Sequence, residues 1–324
     1  PPTTSYTLSL HDALPISIDV PLPSAIAATD VTPSNTPPVP TSLAANVAQI
    51  QLNNWKRAGF HLTDREVMEI DHDESFVPMQ MSEAIRALAN AVNASVHAEY
   101  VGIFGFVGSA GTTPFGTDVS DATLARKLLN RQLAPRAERR GVLDFDAETN
   151  ALALAQFSDA EKVGSSSVKI DGEIGRKFGI DWFADDGVPT HTAGTAADDG
   201  AYTITTGAPG TAGDGSVTLT SDAGTPTLVA GDVISFAGHD QTYVVTADAA
   251  LSTGNTVATI APTLKSGVAN GASVTVRQSH VVNLAFHRDA FALAMRPLSA
   301  GLADLSLGNQ ILAMTDAQTG LSLR

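Results

Sequence analysis

The acidic run Asp71-His72-Asp73-Glu74 holds the densest group of side chains that could bind a metal ion. Carboxylates and imidazoles are both common metal ligands. Neighbouring residues of an extended chain point to opposite sides, however, so four consecutive side chains cannot converge on one ion. The run is therefore predicted to be a solvated turn. Ion pairs of its acidic groups with Lys56 or Arg57 of another chain are an open alternative.

Two further motifs resemble parts of catalytic signatures. Glycines at 105, 108 and 111 have the spacing of a phosphate-binding loop, but no Lys-Ser or Lys-Thr pair follows them. His287-Arg288-Asp289 resembles a kinase catalytic loop, but Leu293 stands where that loop has Asn. The glycines are better explained as a turn, and Asp289 as part of the first turn of a helix.

The remaining histidines and serines also lack the rest of a catalytic set. His191 and the pair His239-Asp240 have no nucleophile at a recognisable spacing, so they are predicted to be lone polar side chains in loops. Ser165–Ser167 is expected to be a flexible connector. The sequence thus predicts no catalytic, cofactor-binding or metal-binding residues and no enzyme activity.

One segment concentrates positive charge in a chain that is otherwise acidic. Two functions are open for it, a contact with acidic neighbouring subunits or a patch facing DNA. The alternative is a solvated helix face balanced by Asp121, Glu138 and Asp144. The basic residues of this segment are Arg126, Lys127, Arg131, Arg136, Arg139 and Arg140.

The bulk composition limits the class of protein. The 324 residues include 19 basic and 34 acidic ones, a net charge of −15, so a protein that grips nucleic acid along its length is excluded. There is no cysteine, which excludes disulfides and thiolate chemistry. No apolar run approaches the roughly 18 residues of a membrane span.

The elements that would position these residues start with a long helix over 79–101. Its larger apolar residues recur every three or four positions, which is typical of one buried helical stripe. They are Met81, Ile85, Leu88, Val92, Val96 and Tyr100. Around this helix the patterns predict a hairpin within 47–70, a helix over 118–133, a strand at 139–146, a helix over 147–155 capped by Asp146, and a strand at 173–183. This alternation favours an α/β or α+β domain.

From residue 198 to 279 the composition changes to Thr, Val, Gly and Ala. Six strand-like runs separated by turn signals predict a small antiparallel barrel or sandwich. Residues 280–298 return to the earlier composition, as a strand, a turn and then a helix. A segment that interrupts a domain in this way is an insertion, whose two ends are expected to lie close together.

Both termini depart from the rest of the chain. Residues 1–17 are expected to derive from a sequencing adapter. Residues 18–46, rich in Pro, Ser, Thr and Ala, are expected to form an extended arm. The sequence ends at Arg324 within what looks like the start of a strand, so the chain is expected to be a fragment.

Four segments together carry a resemblance to a known family. They are LNRQLAP (129–135), GVLDFDAETNALALAQF (141–157), EIGRKFGIDWFADDGVPTHTAG (173–194) and HVVNLAFHRDAFALAMRPL (280–298). In this order they resemble tailed-bacteriophage major capsid proteins, most of all the short-tailed-phage coat group with an inserted β-barrel. GDVISFAG (231–238) resembles a strand-turn pattern of that barrel, and the resemblance spans about residues 45–324.

The resemblance implies an α+β protein with the Hong Kong 97-type capsid fold. An extended loop would span 47–78, a peripheral domain with the spine helix 79–117, and an axial domain 118–197 and 280–300. The inserted barrel would span 198–279, and a truncated return to the peripheral domain 301–324. The expected subunit contacts are at Trp55, Lys56, Arg57, Phe60, Asp71, Asp73, Arg126 and Arg131.

The implied function is a shell. Copies would assemble into pentamers and hexamers of an icosahedral capsid around double-stranded DNA, in the bacterial cytoplasm and then in the virion. Scaffolding and portal proteins are implied as partners; no cofactor and no membrane are expected. Two alternatives are open: an encapsulin-like compartment shell, and a secreted β-rich hydrolase or adhesin.

Overall fold

A computed structural model describes residues 17–22, 26, 28, 30, 46–54, 56–59, 65, 76–158, 172, 174–197, 201–295, 314–315 and 322–323. The chain divides into two compact units. The first comprises Pro1–Arg57 with Ala292–Arg324, and the second is Ala58–Phe291. The fold is α+β and contains a closed six-stranded barrel.

The first unit contains two short antiparallel pairs. Strand β1 (Ser17–Leu22) pairs with β2 (Asn46–Gln51), and β17 (Met314–Thr315) pairs with β18 (Ser322–Leu323). The prediction of a hairpin within 47–70 is wrong for β2, whose partner precedes it in the chain. Ile18 lies opposite Ile50, an apolar cross-strand pair that favours this register.

The second unit begins with helix α1 (Phe76–Ala98), which continues as a 3-10 turn over Glu99–Gly102. The helix starts three residues earlier than predicted, and Pro78 lies in its first turn, where a missing N–H costs nothing. The predicted apolar stripe is only partly covered, since Leu88, Val92 and Val96 are half-buried. Among the helix residues with described side chains, only His97 is buried.

The body of the second unit is a four-stranded sheet with helices on one side. Its strand order is β16 (Leu284–His287), β3 (Arg139–Leu143), β5 (Ile180–Ala184), β4 (Gly175–Lys177). Strands β3 and β5 are parallel, and the other neighbours are antiparallel. The helices are α2 (Ser120–Arg131), α3 (Phe145–Ala153) and α4 (Ala155–Ser158).

Aromatic side chains fill the core between this sheet and the helices. The ring of Phe115 lies 5.3 Å from that of Phe157 and 5.6 Å from that of Trp182, both edge to face. Gly141 lies directly under the Trp182 ring, and a Cβ atom at this position would collide with it. The tight packing of β3 on β5 therefore requires a glycine here.

Two local predictions for this body are wrong. Helix α3 begins at Phe145 with Asp144 at its N-cap, so Asp146 lies in the first turn and does not cap the helix. The predicted single strand at 173–183 is a hairpin of β4 and β5. Its two turn residues, Phe178 and Gly179, have positive φ angles of 54° and 79°, as the tight turn of a twisted hairpin requires.

The barrel contains the six strands that the sequence predicts. In barrel order they are β10 (Val233–Phe236), β11 (Thr242–Val245), β13 (Thr256–Ala261), β8 (Ser216–Ser221), β7 (Ile204–Thr206) and β14 (Ser273–Val276), and β14 closes on β10. Alternate residues point inward to a core that includes Leu219, Ile234, Tyr243 and Val245. Two short strands, β9 (Thr227–Leu228) and β12 (Ala249–Ala250), pair beside it.

The segments on either side of the barrel pair with each other. Strand β6 (Thr190–His191) runs antiparallel to β15 (His280–Val281), with His191 opposite His280. Beyond β16 a 3-10 turn spans Arg288–Ala290, and residues 291–295 are not helical, so the predicted helix is wrong there. Phe291 is extended and packs edge-on against Phe286 at 5.0 Å, which a helix starting at Asp289 would prevent.

Within the described part of the chain, no helix combines the length and the apolar character needed to cross a bilayer.

Candidate functional site

A chain of three polar side chains connects the body of the second unit to its barrel. The hydroxyl of Tyr100, at the end of the long helix, lies 2.9 Å from Nδ1 of His191 in β6. Nε2 of His191 lies 2.8 Å from Oδ1 of Asp232, immediately before β10. Asp232 also accepts hydrogen bonds from the backbone N–H groups of Val229 and Gly194. Three separate elements are thereby fixed to one another.

The Asp232 carboxylate can only accept, so Nε2–H of His191 donates to it, while Nδ1 shares a second hydrogen bond with the Tyr100 hydroxyl. The order of groups resembles a nucleophile, a base and an orienting acid. However, burial and then the charge of Asp232 raise the pKa of Tyr100. A raised pKa keeps the Tyr100 hydroxyl protonated, which suits a hydrogen-bonded connection between the elements.

A second polar cluster joins the long helix to the end of β5. Asp185 accepts hydrogen bonds from the side chain of Asn93 at 2.9 Å and from the N–H of Gly187 at 2.7 Å, and it lies 3.4 Å from Nε2 of His97. Burial alone would raise the pKa of Asp185. The hydrogen bonds from Gly187, Asn93 and His97 outweigh it, and the pKa is lowered. The carboxylate form therefore stabilises this contact.

Further contacts hold the barrel against the residues that follow the long helix. The Thr242 hydroxyl donates to the carbonyl of Phe104 at 2.6 Å. The guanidinium of Arg277 lies over the Phe106 ring at 5.3 Å, a cation–π contact. The barrel is thus attached to the body at several points.

A serine and a histidine also meet within the barrel. The Ser266 hydroxyl lies 3.1 Å from Nε2 of His239, whose Nδ1 lies 3.1 Å from the Tyr243 hydroxyl. The Tyr243 oxygen also accepts the N–H of Lys265. Nε2 of His239 lies 3.3 Å from the Gly267 carbonyl as well. These contacts connect three loops and strands within the barrel.

These contacts correct the interpretation of His191 and His239 as lone loop residues. His191 is buried in a strand between two partners, and His239 has three. Tyr100 and His191 are 91 positions apart in the sequence, and His191 and Asp232 are 41 apart, so their spacing could not indicate that they are in contact. The residues that the structure describes contain no group of three or more histidine, aspartate or glutamate side chains that could hold a metal ion, around His191, His239 or elsewhere. The acidic run 71–74 lies outside the described residues.

A cavity of about 600 Å³ lies next to Tyr100, between the loop that follows the long helix, α2 and the sheet. Its lining is mixed, with Phe106, Leu128 and Trp182 beside His280.

The structure describes four of the predicted contact residues. Lys56 and Arg57 are exposed. The guanidinium of Arg126 donates to the Phe178 carbonyl at 3.0 Å, and Arg131 forms an exposed ion pair with Asp240 of the barrel at 3.0 Å. The other four, Trp55, Phe60, Asp71 and Asp73, lie outside the described residues. A role in contacts between copies stays a prediction for all eight.

The basic segment is not simply a solvated helix face. Arg139 is only 2% exposed and donates to the carbonyls of Ala134 and Pro135, both at 2.7 Å, and to the side chain of Asn130 at 2.9 Å. Burial, and then the charges of Arg126 and Arg136, lower the pKa of Arg139. Several guanidinium groups therefore lie close together in space.

In the α2–β3 loop, residues 132–138, the sequence indicated Arg136 as part of the basic segment but gave no role to Leu133. Leu133 is 89% exposed and has a φ of 60°, a left-handed conformation that favours glycine. Glu138, at the other end of the loop, also has a positive φ of 51°. A strained and exposed leucine has no role in the core of the monomer.

No protein-family model matches the sequence, and no curated protein is significantly similar to it. Two solved structures from phages are similar in their three-dimensional structure. A chain from a structure of Mycobacterium phage Che8 has a TM-score of 0.41 and 11% identity, over 81% of this chain and 83% of that one. A chain from the capsid structure of the cyanophage P-SCSP1u has a TM-score of 0.39 and 14% identity, over 81% and 80%.

Proposed function

We propose that the chain is a capsid subunit of a tailed phage with the Hong Kong 97-type fold. The observation that carries the proposal is the order of segments, in which a six-stranded barrel is placed between the paired strands β6 and β15 of an α+β body. This is the organisation expected of the coat group that the sequence resembles. The exposed apolar surface of the long helix supports it, because a half-covered stripe needs a further layer to pack on.

The proposed organisation follows the chain. Residues 18–46 serve as the arm and 47–78 as the extended loop, and 79–117 form the peripheral domain around the spine helix. The axial domain comprises 118–197 and 280–300, interrupted by the barrel at 198–279, and 301–324 return to the peripheral domain. The polar chain from Tyr100 to Asp232 would then hold the barrel at a fixed angle to the spine.

Assembly would draw its strength from repetition. Each contact between copies is weak, and closed pentamers and hexamers multiply it over an icosahedral shell. The net charge of −15 suits a container whose lining must release packed double-stranded DNA, because a basic lining would bind it tightly. The subunit has a structural role and catalyses no reaction, and scaffolding and portal proteins are its proposed partners in the host cytoplasm.

Electron microscopy of the chain expressed in bacteria, purified and concentrated, tests the proposal. Closed shells of uniform size, or capsomer-like rings, are the expected products. Shells that copurify with an enzyme and no portal protein would instead favour an encapsulin-like compartment. Uniform monomers that hydrolyse ester or glycoside substrates would favour a hydrolase and contradict the proposal.

A further inference from the structure

We propose that the α2–β3 loop is the anchor by which one copy of the chain docks on an acidic surface of a second copy. Leu133 is the apolar centre of this contact, and Arg131 and Arg136 flank it. The inference rests on the proposed function, which requires copies to associate, and it names the surface that they would use.

The first support is the shape of the loop. Leu133 is presented almost wholly to solvent in a left-handed conformation that costs free energy for any residue with a Cβ atom. Residues held in such conformations cluster at binding sites, where the surrounding structure enforces them. At the C-terminal end of a helix this position is usually glycine. A leucine here adds an exposed apolar side chain that does not pack in the core of the monomer.

The second support is that the loop is fixed before any partner arrives. The N–H of Ala134 donates to the carbonyl of Leu129 at 3.0 Å, and the buried guanidinium of Arg139 holds the carbonyls of Ala134 and Pro135. At the far end, Arg288 binds Glu138 through both its backbone N–H and its side chain. A rigid loop loses little conformational entropy on binding, which favours affinity.

The third support is charge. The segment 126–140 contains six of the nineteen basic residues of the chain and only one of its thirty-four acidic residues. The rest of the chain is therefore even more acidic than the overall net charge of −15 indicates. A second copy thus offers the opposite charge. Within one copy, the pair between Arg131 and Asp240 shows the same chemistry.

A basic surface that meets an acidic one elsewhere on the molecule makes a head-to-tail contact. Such contacts generate rings when the rotation closes, whereas a self-complementary patch gives only pairs. A DNA-facing patch is the competing explanation of the basic residues. It leaves the exposed Leu133 unexplained, because an aliphatic side chain gains little from phosphate groups.

The test uses the full chain and Leu133→Gly, which removes the exposed side chain and suits the positive φ. The folded monomer is expected to unfold at the same or a higher temperature, while association, followed by sedimentation velocity, weakens about tenfold or more. Val257→Thr is the matched control, because Val257 is an apolar residue that is 63% exposed on the barrel. This control is expected to associate like the unsubstituted chain. Arg136→Glu is expected to weaken association too, and its assembly should respond less to added salt.

The outcomes separate this inference from the proposed function. If the unsubstituted chain stays monomeric at every concentration, both are overturned. If it assembles and Leu133→Gly assembles at the same concentration, only the docking surface is overturned. Unchanged assembly of Arg136→Glu, with weaker binding to a short DNA duplex, would assign the basic patch to DNA and also overturn the inference.

Discussion

Nε2 of His191 lies 2.8 Å from Oδ1 of Asp232, and both side chains are almost completely withdrawn from solvent. A buried carboxylate is tolerated only when its oxygens are satisfied, and here three donors surround it. This contact is the centre of the connection between the barrel and the body.

Asp232→Ala is expected to lower the free energy of unfolding by about 3–5 kcal/mol, because it leaves the buried N–H groups of His191, Val229 and Gly194 without their acceptor. Urea unfolding followed by circular dichroism measures the loss. Asp240→Ala is the control, since its ion pair with Arg131 is exposed and worth at most about 1 kcal/mol. Equal effects of the two substitutions would show that the buried chain is not a structural connection.

The lowered pKa of Asp185 predicts a dependence of stability on pH. The carboxyl group of Asp185 has a lower pKa in the folded state than in the unfolded state, where its pKa is near 3.8. The contribution is therefore complete above that value and is lost as the pH falls from it through the lower folded-state pKa. Asp185→Asn is expected to flatten this part of the profile, measured as the urea midpoint from about pH 7 down to about pH 2.

Asp186→Asn serves as the control for that experiment, because Asp186 is the adjacent residue and is exposed. It should leave the acid limb of the profile in place. A profile that is equally steep for Asp185→Asn and for the unsubstituted chain would contradict the assignment of the effect to Asp185.

Gly141→Ala is expected to destabilise the body by about 1–3 kcal/mol, because the new methyl group would occupy the space of the Trp182 ring. Urea unfolding followed by circular dichroism provides the measurement. Gly102→Ala adds the same methyl group where nothing lies within 4 Å, so it should change stability far less. If both substitutions are tolerated equally, the close packing of β3 on β5 is not required.

Arg139→Lys is expected to cost about 2–4 kcal/mol although it keeps the charge. Lysine cannot reproduce the fork that binds the carbonyls of Ala134 and Pro135 together with Asn130. Thermal unfolding measures the loss, and Arg140→Lys on the exposed side of the same strand is the control. A loss confined to Arg140→Lys would contradict the structural role of Arg139.

The barrel was the part of the fold best predicted from the sequence. Short runs of Val, Thr and Ile between Gly, Asp and Asn turns define strands locally, and all six have their strand in the structure. The hairpin of β4 and β5 escaped prediction because its turn contains Phe178, where the favoured residues would be Asn or Asp. The prediction of a helix after Asp289 was wrong because Phe291 is extended and packs against Phe286, a contact that the local sequence pattern does not indicate.

The polar connections could not be found from spacing alone. Tyr100, His191 and Asp232 lie on three different elements, and only the folded chain brings them together. The periodicity of the long helix identified Tyr100 as a member of an apolar stripe and gave no sign of its hydroxyl contact. Leu133 gave no signal either, because its φ angle is a property of the helix end and not of the residue.

The pairing of β6 with β15 marks the place at which the barrel could be deleted or replaced by another domain. Because the two strands leave and rejoin the body side by side, a turn of a few residues between Thr190 and Val281 would close the body without the barrel. A foreign domain whose own termini are adjacent could be inserted between the same two strands. Exchange of such modules would replace the barrel while the four-stranded sheet and its helices stay intact.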